Sequence, residues 1–210
     1  MLPIPPPFTS TALALIFEPD HPCSTYISDG STGKLLYVVD TEVVQQPNRR
    51  TITEVRRAAG ETLAQFEWRD YRADLVGFTG QEELWPSSNW LKKSSIPFKD
   101  TVTFKDEAWK GYKWKGYAPG LSLELYVESD KTCPVAKFYK PRTRPKEKET
   151  DHTRSLPATL FIDESIASSK EKLDHVVVAF LYLEKTRRER DEDDFHALPS
   201  KSHRSRKDVL

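Results

Sequence analysis

The chain contains very little cysteine. Its 210 residues include only Cys23 and Cys133, too few for the disulfide framework of a small secreted domain. Asn48 and Asn89 are not followed by the pattern of an N-glycosylation site. Residues 1–7 lack the basic start and unbroken apolar run of a secretory signal peptide. These absences predict a soluble intracellular protein, expected in the cytoplasm, with a nuclear location left open.

Net charge is also missing. The 32 basic and 32 acidic side chains balance, so the whole molecule exerts no long-range attraction on nucleic acid or membranes, and any such attraction must come from a local patch. A composition of 37% hydrophobic and 30% charged residues indicates one core with polar tails. The length allows a single all-β domain.

Recognisable catalytic motifs are absent: the sequence contains no Gly-x-Ser-x-Gly, phosphate loop or dinucleotide-binding glycine motif. Asp174 and His175 are adjacent, and adjacent helix positions do not face each other, so an acid/base pair is not favoured. His21 and Cys23 lack the further cysteines of a zinc site. We expect no cofactor, no metal and no enzymatic activity; an enzyme with an unrecognised site in a pocket at the rim of the fold is the alternative.

The prominent apolar stretch is the eight residues of Val176–Leu183. A helix that crosses a bilayer needs about 20 apolar residues, so no transmembrane segment is expected. If this stretch is helical, more than two turns are apolar on every side, and the helix must be enclosed by the rest of the protein.

Its flanks favour the helical interpretation. No Gly or Pro occurs between Pro157 and Pro199, Asp174 is a candidate N-cap, and Glu184 pairs with Arg188 at i, i+4. Three adjacent valines also suit a buried strand, so that alternative stays open. We predict a helix over about 174–190.

The chain before this helix consists of short strand-like runs. In residues 63–69 the apolar Ala64, Phe66 and Trp68 alternate with polar residues, as in a half-buried strand. About a dozen such runs, separated by turn signals roughly 8 to 12 residues apart, predict an antiparallel sandwich or barrel. We predict a Pro-rich disordered tail (1–10), one domain (11–190) with an exposed loop at about 140–155, and a disordered charged tail (191–210).

Five segments carry a resemblance to a known family: Trp109–Trp114, Leu123–Leu125, Val135–Phe138, Leu160–Ile162 and His175–Arg188. In order and spacing they resemble a fungal family of small proteins of unknown function. That family is similar to the tubby-like superfamily, which includes the LURP-one-related proteins and the phospholipid scramblases. The resemblance implies a closed antiparallel barrel of about twelve strands around one central hydrophobic helix.

The resemblance does not transfer a site. Tubby domains bind phosphoinositides through particular basic residues, but that motif finds no match here, and neither do the cysteine-rich and calcium-binding segments of scramblases. The predicted core residues follow from the strand and helix patterns. They are Trp68, Trp114, Val176, Val177, Val178, Phe180, Leu181 and Leu183.

Two stretches could form a basic surface. In residues 109–117, strand alternation puts Tyr112 and Trp114 on one face and Lys113 and Lys115 on the other. Residues 140–154 carry six basic and three acidic side chains, a net charge of +3, and each basic residue near an anionic leaflet contributes about 1 kcal/mol. The candidate anion- or lipid-binding residues are Lys113, Lys115, Lys140, Arg142, Arg144, Lys146 and Lys148.

These patterns predict a non-enzymatic binding or scaffold module, and a specific version of it binds phosphoinositide headgroups at a membrane surface. The expected partner is an anionic membrane surface or another protein. An ordinary solvated surface is the alternative for both basic stretches. Nucleic-acid binding through residues 109–117 is less favoured, because alternation separates the aromatic side chains from the cations.

Overall fold

The computed structural model describes residues 11–45, 49–81, 83–96, 99–106, 110–143 and 155–197. Within them lie fifteen strands, two α-helices and one short 3-10 helix. The strands are β1 (Thr11–Glu18), β2 (Thr25–Asp29), β3 (Leu35–Val44), β4 (Arg50–Arg57), β5 (Thr62–Trp68), β6 (Leu75–Phe78), β7 (Trp85–Pro86), β8 (Lys92–Lys93), β9 (Val102–Lys105), β10 (Gly111–Lys115), β11 (Glu124–Val127), β12 (Ala136–Tyr139), β13 (Arg142–Thr143), β14 (Ser155–Leu156) and β15 (Ala158–Asp163). The helices are α1 (Glu164–Ala167), α2 (Lys170–Ala197) and the 3-10 helix Ser87–Asn89.

Thirteen of the strands form one antiparallel sheet. Its order is β7-β6-β5-β4-β3-β2-β1-β15-β12-β11-β10-β9-β8. It therefore consists of two meanders, β1 to β7 and β8 to β12, which β15 joins by pairing with β1 on one side and β12 on the other. All six residues of β15 are buried, as expected for the strand at the junction of the two halves.

Alternation decides which side of each strand faces the core. On β10, Tyr112 and Trp114 are buried, whereas Lys113 and Lys115 are half-buried on the other face. The core contains most of the residues predicted for it. Trp114, Val176, Val177, Val178, Phe180, Leu181 and Leu183 are buried there, and Trp68 packs against them partly buried.

The segment 174–190 is helical, as predicted, and the sheet curls around it. The ring of Phe180 lies 5.2 Å from that of Phe17 on β1 and 4.8 Å from that of Phe138 on β12, measured between centroids. Tyr182 stacks on Trp68 of β5 with centroids 5.4 Å apart. Strands from both meanders therefore cover the apolar residues of α2.

The ends of α2 differ from the prediction. The helix begins at Lys170 and ends at Ala197 rather than near 174 and 190. Asp174 is not its N-cap: it lies inside the helix, accepts a hydrogen bond of 2.9 Å from the Tyr37 hydroxyl and forms an ion pair with Arg57. Residues 191–197 are helical although a disordered tail was predicted from residue 191. Among the residues described, no helix combines the length and apolar character needed to cross a membrane.

The predicted mainly β, antiparallel architecture is confirmed, but the predicted barrel closure and the count of about twelve strands are not. The sheet has thirteen strands and is not closed, because the strand order ends at β7 and β8 and no pairing joins these two strands in the part of the chain that the structure describes. Pro86 of β7 has no N–H to donate to a partner strand, and the chain then enters the 3-10 helix Ser87–Asn89. We call this unpaired junction the seam.

The predicted exposed loop at about 140–155 is anchored by a two-stranded ladder at its base. Arg142 pairs with Leu156, and Thr143 pairs with Ser155. Residues 144–154, like the predicted N-terminal tail 1–10 and residues 198–210, lie outside the described residues.

A buried ion cluster follows the apolar part of α2. Arg187 and Glu184 are both buried, and Arg187 donates from Nε and Nη2 to the two Glu184 carboxylate oxygens at 2.8 and 2.7 Å. Arg188 donates to Glu184 at 2.8 Å and to the Asp20 carboxylate at 2.6 Å. Buried charges are tolerated only when they are paired in this way.

Replacing Phe180 with Ala should leave a cavity at the centre of the fold. Because the side chain is 1% exposed, we expect Phe180→Ala to lower the free energy of unfolding by about 3–5 kcal/mol, measured by urea denaturation. Tyr71→Ala is the matched control, since Tyr71 is 98% exposed and its loss should change stability by less than about 0.5 kcal/mol. Equally small effects would show that α2 is not enclosed.

Candidate functional site

Two of the predicted cations, Lys113 and Lys115, lie on the outer face of β10, beside β11 and β12. The register places Lys115 opposite Glu124 and Glu124 opposite Lys137, so a row of alternating charge crosses three strands. Lys113 lies two residues before Lys115 on the same face, opposite Tyr126. Strand alternation in the sequence predicted the lysine face of β10, but it did not predict that Glu124 and Lys137 lie beside it on the neighbouring strands.

Glu124 is tightly held within this row. The Lys137 ammonium lies 2.6 Å from one carboxylate oxygen of Glu124, and the Tyr126 hydroxyl donates to the other at 2.8 Å. Burial opposes the ionisation of Glu124, but these two hydrogen bonds outweigh it and hold its pKa below the ordinary value. The Lys115 ammonium lies 3.6 Å from the centroid of the Tyr126 ring. The charges of this row are therefore largely balanced by one another.

A groove of about 640 Å³ lies beside the row, where β12 leads into β13. We call it the basic groove and define it by Glu124, Lys137, Lys140 and Arg142, which line it. Gly116 forms part of its wall with φ +77°, and a side chain there would collide with the carbonyl group of Ser122. The turn after β10 therefore requires glycine, which keeps this wall open.

The cations of the basic groove differ in how well they are paired. Lys140 lies 3.9 Å from Asp191 of α2, and burial together with the charge of Arg187 lowers its pKa. Arg142 is exposed and has no ion pair among the described residues. The predicted Arg144, Lys146 and Lys148 lie outside the described residues.

Sequence reasoning missed Lys137. It occupies the outward position of β12, between the buried Ala136 and Phe138. Strand alternation could have placed it on the outer face. Its partnership with Glu124 depends on β11 pairing with β12, which no local pattern specifies.

A second groove, of about 530 Å³, opens at the seam. We call it the seam groove. It is lined by charged and hydroxyl side chains from the connection after β5, the 3-10 helix, β8 and α2. These are Arg69, Arg72, Asp74, Ser87, Ser88, Lys92, Lys93 and Tyr182. None of them was predicted as a site residue, because about twenty positions separate the arginines from the lysines along the chain and only the curl of the sheet brings them together.

A smaller cavity of about 280 Å³ lies near the start of α2 and includes Asp174 and His175. His175 contacts the carbonyl oxygen of Glu171 at 2.9 Å through Nδ1, and its ring stacks on Phe78. Asp174 is bound by Tyr37 and Arg57 instead. No hydrogen bond joins Asp174 to His175 in the described part of the chain, so this cavity lacks an acid/base pair. The described residues also contain no cluster of three or more His, Cys, Asp or Glu that could hold a metal ion.

Comparison with known proteins places the chain in a family. The model of a family of unknown function, DUF6593, matches residues 20–189. The chain belongs to this family. The DUF6593 match extends from the loop before β2 to the last turns of α2, so it includes both grooves and the buried helix. No curated protein and no solved structure matches the chain.

The ion pair of Glu124 predicts how the stability of the protein depends on pH. Because the pKa of Glu124 is lowered on folding from an ordinary value of 4.5, its contribution to stability is complete above that value and is lost as the pH falls through the lower, folded-state pKa. We expect Glu124→Gln to destabilise the protein by about 0.5–1 kcal/mol near neutral pH and to have no effect in acid, where the wild-type side chain is protonated too.

Urea denaturation at neutral and at acidic pH measures this difference. Glu42→Gln is the control, since Glu42 is exposed and has no ion pair among the described residues. A Glu124→Gln effect that persists unchanged in acid would mean that the ionised carboxylate does not stabilise the row.

Proposed function

We propose that this DUF6593 protein is a non-enzymatic binding module that recognises anionic phospholipid headgroups at a membrane surface. The observation that carries the proposal is the basic groove, in which Lys137, Lys140 and Arg142 line one volume of about 640 Å³. Ligand pockets commonly have volumes of about 300–1,000 Å³. A phosphorylated headgroup therefore suits this groove in size and in charge.

The pairing of the three cations supports an anionic ligand. The Lys137 ammonium lies 2.6 Å from the Glu124 carboxylate. Lys137 therefore forms a fixed wall of the basic groove, and Glu124 already balances most of its charge. Arg142 is exposed without an ion pair among the described residues, and its planar guanidinium can donate two hydrogen bonds to one phosphate. An anion beside Lys140 would offset the burial and the nearby Arg187 charge that lower its pKa.

The resemblance of the sequence to the tubby-like superfamily supports the same proposal, since tubby domains bind phosphoinositides. Within the proposal, Lys113 and Lys115 extend the basic surface along β10, and Arg144, Lys146 and Lys148 extend it along the chain after β13. A cytoplasmic location would give this surface access to the leaflet that carries the anionic lipids. The assignment to a fungal, tubby-like lineage is part of the proposal.

The alternatives have less support. Base stacking needs exposed aromatic side chains, but Tyr112 and Trp114 of the basic strand are 1% and 0% exposed. An enzyme would need a reactive pair in one of the cavities, and Asp174 and His175 do not form one.

Co-sedimentation with vesicles tests the proposal. The protein should pellet with vesicles that contain phosphatidylserine or a phosphatidylinositol bisphosphate, more at low than at physiological salt because salt screens exposed charges. It should not pellet with phosphatidylcholine alone. Lys140→Gln combined with Arg142→Gln should lower the partition coefficient by at least about tenfold, since each basic residue contributes about 1 kcal/mol.

The control for this experiment removes the same charge elsewhere. Lys34 and Lys131 are exposed, and neither lines the basic groove or the seam groove, so Lys34→Gln combined with Lys131→Gln should pellet nearly as the wild type does. Absence of pelleting with every anionic vesicle at low salt would refute the proposal. An equal loss in both double variants would show that net charge, and not the groove, drives the binding.

A further inference from the structure

Two exposed apolar side chains line the basic groove beside its cations. Leu121, in the turn between β10 and β11, is 54% exposed, and Pro141, between β12 and β13, is exposed as well. Both line the groove together with Lys140 and Arg142. We call Leu121 and Pro141 the apolar rim. One exposed leucine is ordinary on a protein surface, but apolar and basic side chains that line the same groove are the combination that an anionic membrane interface attracts.

The turn that carries Leu121 is fastened to α2. Arg190 donates a hydrogen bond of 3.1 Å to the backbone carbonyl of Tyr117, and its guanidinium carbon lies 4.8 Å from the centroid of the Tyr117 ring. The N–H of Gly120 donates to the Asp191 carboxylate at 2.8 Å. Leu121 is therefore exposed on a turn that the fold already holds in place, so docking it on a surface costs little ordering entropy.

The backbone of the apolar rim suits an apolar environment. The N–H of Leu121 donates to the carbonyl oxygen of Ala118 at 3.3 Å, and the N–H of Gly120 is bound by Asp191. Pro141 has no N–H to satisfy. An unsatisfied backbone donor is costly where no water can bind it, and none of these three positions would introduce one.

The charges beside the apolar rim favour an anionic surface. Lys140 and Arg142 flank Pro141 in the sequence, and Arg142 is exposed without an ion pair among the described residues. The carboxylate that lines the groove belongs to Glu124, which the Lys137 ammonium already balances at 2.6 Å. A bilayer could therefore accept the apolar rim while its phosphate groups contact the neighbouring cations.

From the exposed apolar rim beside the cations of the basic groove, we infer that Leu121 inserts into the boundary between the headgroups and the acyl chains of an anionic bilayer, with Pro141 at the same depth. The inference rests on the proposed function, because the basic groove must bring the protein to the membrane. It adds a second contribution that carries no charge. Salt screens the attraction of exposed charges but not the burial of an apolar side chain, so the two contributions can be measured separately.

Co-sedimentation of Leu121→Ser with vesicles of phosphatidylcholine and phosphatidylserine tests the inference. We expect the partition coefficient to fall about fivefold to tenfold, because the exposed part of the leucine side chain is no longer buried in the bilayer. The factor should be the same at low and at physiological salt, whereas the effect of Lys140→Gln combined with Arg142→Gln should shrink as salt rises. Since Leu121 is exposed, the variant should melt as the wild type does.

The matched control is Ile96→Ser. Ile96 is 57% exposed and does not line the basic groove, so the control removes a similar apolar side chain from another part of the surface. It should pellet with the same vesicles as the wild type does.

A fluorescent label reports insertion directly. A nitrobenzoxadiazole group on Leu121→Cys, in a Cys133→Ser background because Cys133 is exposed and Cys23 is buried, should brighten and shift to shorter wavelength when anionic vesicles are added. Lipids with a nitroxide on the acyl chain should quench it. The same label on Ile96→Cys should keep the emission that it has in water.

The outcomes separate this inference from the proposal on which it rests. If the wild type pellets with no anionic vesicle, both fail. If the wild type pellets but Leu121→Ser pellets equally well, or the label at position 121 stays in water, the insertion is refuted and headgroup binding by the basic groove stands. An equal loss in Leu121→Ser and Ile96→Ser would also refute the insertion, since it would show that no particular apolar residue is used.

Discussion

The enclosure of α2 determines the rest of the structure. Residues 176–184 are all buried, and because apolar side chains surround this part of the helix, no single flat sheet could cover it. The sheet must therefore curl until strands of both meanders contact it, as Phe17 and Phe138 do around Phe180. The same burial forces Glu184 and Arg187 into one compact pair, since a lone charge at that depth would be strongly destabilising.

The seam forms because the two meanders curl around α2 from opposite sides and end at β7 and β8. The meander β1 to β7 and the meander β8 to β12 meet where Pro86 cannot donate a hydrogen bond and the chain forms a 3-10 helix. On one side of the seam, Asp74 before β6 and Ser87 after β7 both bond to the Tyr182 hydroxyl of α2. Because no strand ladder links β7 to β8 among the described residues, space remains beside these side chains. The seam groove is therefore a consequence of how the sheet encloses the helix.

The local features of this architecture could be predicted from the sequence. The apolar run of α2 and the alternation in β5 and β10 predicted the buried helix and the buried faces, including Trp114 and Phe180. Barrel closure could not be predicted from alternation, because it depends on whether the two edge strands, β7 and β8, pair with each other, and alternation does not specify pairing. The extension of α2 beyond Arg190 was missed because part of its support is tertiary: Asp191 accepts a hydrogen bond from the N–H of Gly120, in addition to its local i, i+4 pair with Arg187. Lys137 and the seam groove were missed for the same reason, since register and curvature bring their residues together.

Both grooves border side chains that α2 positions. Tyr182 and Leu183 line the seam groove, and Asp191, more than two turns later, lies 3.9 Å from Lys140 of the basic groove. A ligand in either groove would bind only when α2 is in place, because the unfolded chain does not bring these side chains together. Its binding would therefore stabilise the folded state by mass action. The helix that organises the core is also the element through which binding at either groove would raise the stability of the whole fold.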